Sequence, residues 1–281
     1  MNSANIIEKD YLLGHTEVEL NRLTRQGNFL YELTRNFLIS AGISEGMRVL
    51  DFGAGSGDVS LILSELVGDA GEVIAVDRAL ESHERTKNRL QSLNIKNVTF
   101  YTGDEYSLGD IFKNQPADAV AGRLVLVHQR DPVSSFCEIV KCVRPGGIVA
   151  FQEIDLGSGI WSNLPLPLME KVFGWLTQTF IAADKPRDMA AQLIRAFDIT
   201  GIESRHIIRE GIYETGDNAV SFTFFEDIMK PLIPIMDKLN IVKPEEVQVD
   251  TLAERLRHEA LAHHAHFITA QLVGAYGHLP T

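Results

Sequence analysis

The chain has 281 residues, 45% of them hydrophobic and 23% charged, with a formal net charge of −12. This ordinary globular composition suffices for one large domain or a domain plus a cap, and no run approaches the roughly 18 uncharged apolar residues of a membrane span. Acidic balance without a Lys/Arg run argues against a nucleic-acid substrate, which calls for a basic face. Met1–Gly14 shows no basic stretch leading into an apolar one, so no secretory leader is expected. Cys137 and Cys142 are not a CxxC pair, and a reducing, cytoplasmic setting without disulfides is expected.

In chain order, residues 17–40 carry Val18, Leu20, Leu23, Phe29, Leu30, Leu33, Phe37 and Leu38 near helical spacing, and Gly42 stops the helix. Met47–Leu50 reads as a buried strand, followed by glycines and a helix face of Val59, Ile62, Leu63 and Leu66. Glu72–Val76 is a second strand, 81–93 a helix, and Val98–Tyr101 a third strand. Ala119–Ala121 running into Leu124–Val127 reads as the fourth, Val133, Phe136, Val140 and Val143 mark a helix, and Ile148–Phe151, after the turn Arg144–Gly147, is the fifth. Helices are then expected around Met169–Phe180, 188–199, 219–240 and 250–265, with strands at Arg205–Tyr213 and Phe267–Tyr276. Alternating strands and helices imply right-handed parallel βαβ units. The expected fold is α/β, a doubly wound, mostly parallel sheet of about seven strands with a helical cap. Five segments are expected: an N-terminal helical cap piece at 1–40, the core at 41–155, a cap insertion with the sixth strand at 156–216, a helical cap insertion at 217–264, and the last strand at 265–281.

The central motif is Val49-Leu50-Asp51-Phe52-Gly53-Ala54-Gly55-Ser56-Gly57-Asp58, between a strand and a helix. Glycines there let the backbone turn sharply and approach a ligand, beside the free N–H groups of a helix start. The dinucleotide fingerprint G-x-G-x-x-G fails, because its third glycine would fall at Asp58 or at Ser60. An acid at Asp58 would repel a pyrophosphate and favour a cationic ligand, and no P-loop lysine follows. Asp77, about 20 residues on, sits where an acid binds ribose hydroxyls. Gly103-Asp104-Glu105 follows the third strand, where an exposed acid can accept a hydrogen bond from an adenine amino group.

The segments VLDFGAGSGD, VIAVD, TGD and VRPGGIVAFQE, in this order, resemble class I S-adenosylmethionine-dependent methyltransferases, most of all the small-molecule group that includes ubiquinone, menaquinone and natural-product methyltransferases. The resemblance covers roughly residues 40–155. It implies S-adenosyl-L-methionine as cofactor and S-adenosyl-L-homocysteine as product. It implies that Asp51, Gly53, Ala54, Gly55 and Gly57 shape the methionine pocket, that Asp77 holds the ribose, that Asp104 meets the adenine, and that Arg78 and Glu105 flank the base. It also places Arg123–His128 near the sulfonium, and makes Tyr11–His15 a lead-in closing over the cofactor, with Tyr11 a cofactor contact.

Two residues are candidates for proton transfer. His128 titrates near neutral pH, and Glu153, with Gln152 before it, ends the fifth strand at the edge where open α/β sheets bind ligands. The plainer readings are a surface histidine and an ion-paired acid, and Asp51 could merely cap its turn. His258, His263, His264 and His266 do not have metal-protease spacing, and no metal is expected. Trp161, Phe173, Trp175, Phe180, Phe222, Phe224 and Phe225 are either ordinary packing or the wall of an apolar acceptor pocket. The expected partner is a small-molecule methyl acceptor, with no nucleic acid and no membrane, and a homodimer is compatible with the reading. The alternatives are a non-methylating cyclase or ligand-binding member of the same fold, or a protein or RNA methyltransferase.

Overall fold

The computed structural model describes residues 17–203, 205–216, 219–269 and 271–281. Tyr11 and His15 lie outside the described residues. The helix expected over 17–40 is two helices, α1 (Glu17–Phe29) and α2 (Tyr31–Ala41), with Leu30 between them off helical geometry at ψ 2°. Gly27 and Asn28, weak helix formers, precede the bend. Gly27 is there for closeness: a Cβ on it would stand 2.2 Å from Cγ of Asp58. Gly42 ends α2 in the left-handed conformation, φ 97°.

The chain continues through β1 (Arg48–Phe52), α3 (Asp58–Val67), β2 (Glu72–Asp77), α4 (Leu80–Ser92), β3 (Val98–Thr102), α5 (Leu108–Ile111), β4 (Ala117–Arg123), α6 (Pro132–Ile139) and β5 (Val143–Ile154). Asp131 caps α6 by accepting from the Ser134 N–H at 3.0 Å, with Pro132 in the first turn. The turn at Arg144–Gly147 lies inside β5, where the pairing register with β4 jumps between Ala117↔Val143 and Ala119↔Ile148. After Ile154 come β6 (Trp161–Ser162), α7 (Pro167–Ala182), α8 (Met189–Ile199), β7 (His206–Glu210), β8 (Tyr213–Thr215), α9 (Ser221–Lys238), α10 (Pro244–Val247), α11 (Leu252–Ala262), β9 (His266–Ile268) and β10 (Leu272–His278).

The expected doubly wound sheet of seven strands is present, in the order β3-β2-β1-β4-β5-β10-β7. β1 pairs in parallel with β2 and β4, β2 with β3, and β4 with β5. One face packs Phe37, Leu38, Ile62 and Leu63 on Val49, Ala121 and Ala150. On the other, Phe136 of α6 lies 5.3 Å from Phe151 and 5.2 Å from Phe197 of α8, ring centre to ring centre. Strands covered on both faces run nearly continuously apolar, which is why β2 reads Val-Ile-Ala-Val.

The chain forms two compact units. Among the described residues, the sheet unit comprises 17–153 with Ala190–Arg209 and Val273–Thr281. The second comprises Ile154–Met189 and Glu210–Leu272. The second unit contains a three-stranded sheet, β6-β9-β8, antiparallel at both pairings. The run Phe267–Tyr276 is therefore two strands in two sheets, and the strand expected at Arg205–Tyr213 divides in the same way between β7 and β8. Glu259 of α11 accepts from the N–H groups of Leu168 and Met169 at 2.7 and 3.1 Å, capping α7. Phe222 of α9 packs on Phe267 of β9, ring centres 5.5 Å apart.

Candidate cofactor and active site

The loop Gly53–Gly57 leaves β1 with Gly53, Gly55 and Gly57 all left-handed, at φ 75°, 51° and 78°. Only glycine takes this conformation freely. Packing imposes two of them as well: a Cβ would lie 2.3 Å from Cγ2 of Val125 at Gly53 and 2.1 Å from Cγ2 of Thr86 at Gly57. At Gly55 the nearest atom would be Cδ1 of Leu23 of α1, at 3.8 Å. The Gly53 and Ala54 N–H groups donate to the Val76 carbonyl at 2.8 and 3.1 Å, tying the loop to β2.

Asp77 ends β2 and fixes the same loop. Its Oδ2 accepts from the Gly55 N–H at 2.8 Å and its Oδ1 from the Ala79 N–H at 2.9 Å. Each carboxylate oxygen has a second lone pair for a ligand hydroxyl. Asp51 is buried. Its Oδ2 accepts from the Ser60 hydroxyl at 2.5 Å, while its Oδ1 has no partner. Burial pushes its pKa up to about 7, with Asp77 and Asp58 adding to the rise, against the Ser60 hydrogen bond and the Arg123 charge. Asp58 has an internal partner: Nη1 of Arg89 lies 2.8 Å from its Oδ1, and the Ser56 hydroxyl donates to its Oδ2. Its charge, taken in the sequence as repelling a pyrophosphate, is thus largely compensated.

Arg123 on β4 registers with Gln152 on β5, two residues beyond Ala121, which registers with Asp51, so all three point to one face of the sheet. Arg123 donates to Oγ1 of Thr34 at 3.1 Å, and that hydroxyl donates to Oε1 of Gln152 at 2.8 Å. Nε2 of Gln152 is buried without a partner. This face therefore holds an unsatisfied acceptor, Asp51 Oδ1, and an unsatisfied donor, Gln152 Nε2, beside a guanidinium. Buried polar atoms are rarely left so. An α-amino acid zwitterion, such as the methionine end of S-adenosylmethionine, satisfies both, so the residues present fit the cofactor that the resemblance implies.

The stretch after β4 corrects the strand expected there. Leu124 is left-handed at φ 53°, and Leu126–His128 is a short 3-10 turn. Glu153 holds this turn. Its Oε1 accepts from the N–H groups of Val125 and Leu126 at 3.1 and 2.8 Å, and its Oε2 from Val127 at 3.2 Å. It is fully buried, and burial raises its pKa to about 7 against those three donors. A carboxylate engaged in this way is built to position the turn rather than to carry protons to a substrate. His128, half-buried, ends the turn, its N–H donating to the Val125 carbonyl at 3.2 Å.

Asp104 is exposed, and its Oδ1 accepts from the N–H groups of Tyr106 and Ser107, both at 3.1 Å. Glu105, expected beside the base, is buried and accepts from the Ser135 hydroxyl at 2.7 Å. Arg78 is exposed and donates to Oε1 of Gln129 at 3.0 Å. Sequence reasoning missed the exposed apolar groups Leu80 and Tyr106, 61% and 73% accessible, which follow Asp77 and Asp104. A large apolar residue just past a strand's carboxyl end was the available signal.

A model of the methyltransferase domain matches residues 43–192, more than half of the chain. The chain belongs to this methyltransferase family. Its fold and motifs place it in the Rossmann-like, S-adenosylmethionine-dependent class. The chain is 31% identical over 153 residues to the demethylmenaquinone methyltransferase of Staphylococcus aureus, covering 49% of this chain and 62% of that one. It is 40% identical over 110 residues to the protein-L-isoaspartate O-methyltransferase of Ignicoccus hospitalis, covering 39% of this chain and 48% of that one. Against both, the chain spans less than two thirds of the relative's length. The structure of the YcgJ protein of Bacillus subtilis shares the fold, with a TM-score of 0.56 at 15% identity over 89% of this chain and 99% of that one. Among the described residues no helix is long and apolar enough to cross a membrane, and no three His, Cys, Asp or Glu side chains group as a metal site.

Proposed function

We propose that this chain methylates a small, partly apolar molecule, quinone-like or a secondary metabolite, in the cytoplasm. The observation that carries the reading is the pairing of an unsatisfied buried carboxylate oxygen on Asp51 with an unsatisfied buried amide on Gln152, at the foot of the glycine loop. When bound, S-adenosylmethionine supplies a methyl group already activated on a sulfonium. Asp51 Oδ1 then receives the ammonium, while Gln152 Nε2 and Arg123 receive the carboxylate. Asp77 accepts from a ribose hydroxyl, Gly55 keeps the loop free of side chain, and Asp104 accepts from the adenine amino group. Holding two reactants in line can contribute on the order of 7–11 kcal/mol, so positioning by this face and by the Glu153-held turn accounts for most of what the protein must do. His128, at the end of that turn, takes the acceptor's proton where the acceptor is a hydroxyl, an amine or an acidic carbon.

The net charge of −12 and the likeness to a demethylmenaquinone methyltransferase support a small acceptor over RNA. The likeness to a protein-L-isoaspartate methyltransferase makes a protein acceptor the second reading. Calorimetric titration should show S-adenosylmethionine bound by the wild type, at least tenfold more weakly by Asp51→Asn and by Gln152→Leu, and no NAD bound. Incubation with hydroquinones should yield S-adenosylhomocysteine. Failure to bind S-adenosylmethionine, with NAD retained, overturns the assignment. Binding without turnover of any acceptor leaves a non-methylating member of the fold.

A further inference from the structure

In the second unit, α7 has two faces. Met169, Val172, Leu176 and Phe180 are buried. Glu170, Gly174, Thr177, Gln178 and Ile181 recur at helical spacing along another side. That side lines an open cavity of about 430 Å³, whose facing wall is Leu156, Gly157, Gly159 and Ile160 with Arg187. The volume falls within the roughly 300–1,000 Å³ of small-molecule sites.

Gly174 stands inside the helix, where glycine is the poorest residue after proline. A Cβ on it would meet nothing within 4 Å, so neither crowding nor its backbone calls for glycine there. Its effect is to leave the cavity wall bare. Gly159, on the facing segment, is left-handed at φ 71°, and nothing lies within 4 Å of a Cβ on it. Between these walls lies an unmet polar group. The Thr177 hydroxyl is buried without a hydrogen-bond partner, whereas Thr179 on the same helix donates to the Trp175 carbonyl at 2.7 Å. Leu156, Ile160 and Phe173 supply apolar surface, and the charged residues Glu170 and Arg187 are exposed.

We propose that this cavity binds a small neutral molecule, an apolar ring or chain carrying one carbonyl or hydroxyl that pairs with Thr177. The site lies wholly within the second unit and does not depend on methyl transfer. The probe is Prodan, a neutral naphthalene ketone whose emission shifts to the blue in apolar surroundings. Wild-type protein should bind it saturably with a blue shift. Gly174→Phe should weaken binding at least tenfold without lowering Tm, because the ring enters empty space. Thr177→Val, nearly isosteric, should weaken it about 2- to 12-fold, the equivalent of one net hydrogen bond, and decides the matter if Gly174→Phe proves unstable. Absence of a saturable blue shift in the wild type overturns the proposal, as does undiminished binding by a folded Gly174→Phe or by Thr177→Val. Wild-type protein that binds Prodan but not S-adenosylmethionine overturns the function proposed above and leaves this site standing.

Discussion

Replacing Gly53 with alanine tests whether Val125 shapes the glycine loop. The backbone there has φ 75°, which costs an L-residue with a Cβ about 1–2 kcal/mol. The new methyl would also stand 2.3 Å from Cγ2 of Val125 and 2.9 Å from its Cβ. Val125 has little room to yield: it is buried, and its N–H is held by Glu153. Overpacking of this kind costs about 1–3 kcal/mol, so Gly53→Ala should lose about 2–5 kcal/mol in all. Val125→Ala alone should cost about 2 kcal/mol for its lost methyl groups. In the double variant most of the clash disappears while the backbone penalty remains, so the two losses should fall short of additivity by about 1–3 kcal/mol. Urea unfolding followed by far-ultraviolet circular dichroism measures all three. Losses that add to within about 0.5 kcal/mol would refute the argument, since that is the behaviour of sites that do not touch.

Three further outcomes follow from the buried charges. Asp51 must be ionised to receive an ammonium, and burial holds its pKa at about 7; S-adenosylmethionine affinity should therefore fall about tenfold per unit as pH drops below that point, a dependence that Asp51→Asn should abolish in calorimetric titrations. Glu153 binds its proton more tightly folded, at about 7, than at the ordinary 4.5. Its contribution to stability is complete below 4.5 and disappears as pH rises through about 7, a span on the order of 3 kcal/mol. Glu153→Gln should flatten this part of the profile, and a variant that loses stability between about pH 5 and about pH 8 as steeply as the wild type would contradict the assignment. Arg89→Met leaves Asp58 buried without its cation and should cost about 3 kcal/mol; a loss below about 1 kcal/mol in the same urea assay would show that water or another group takes over.

The glycine loop and Asp77 were legible because their chemistry is local: left-handed backbone at Gly53, Gly55 and Gly57, and an acid at a fixed distance along the chain. Leu124–Val127 was not. Leu-Val-Leu-Val has strand-forming character, but the carboxylate of Glu153, remote in sequence, gathers its N–H groups into a turn. For the same reason Glu153 reads in the sequence as a candidate base, because backbone partners leave no trace in residue identity. Glu105 faced the same ambiguity, and the Ser135 hydroxyl resolved it inward. The unpaired atoms of Asp51, Gln152 and Thr177 become visible only when every neighbour's hydrogen bonds are known.

The position of β10 has a consequence for synthesis on the ribosome. It is the latest in sequence of the seven strands, yet it lies between β5 and β7. Until Leu272–His278 emerges, β5 and β7 each present an unfilled hydrogen-bonding border, the kind of surface that recruits foreign strands. A nascent chain interrupted before Leu272 lacks the one ribbon that joins them, so early termination should yield insoluble material rather than a trimmed but working enzyme.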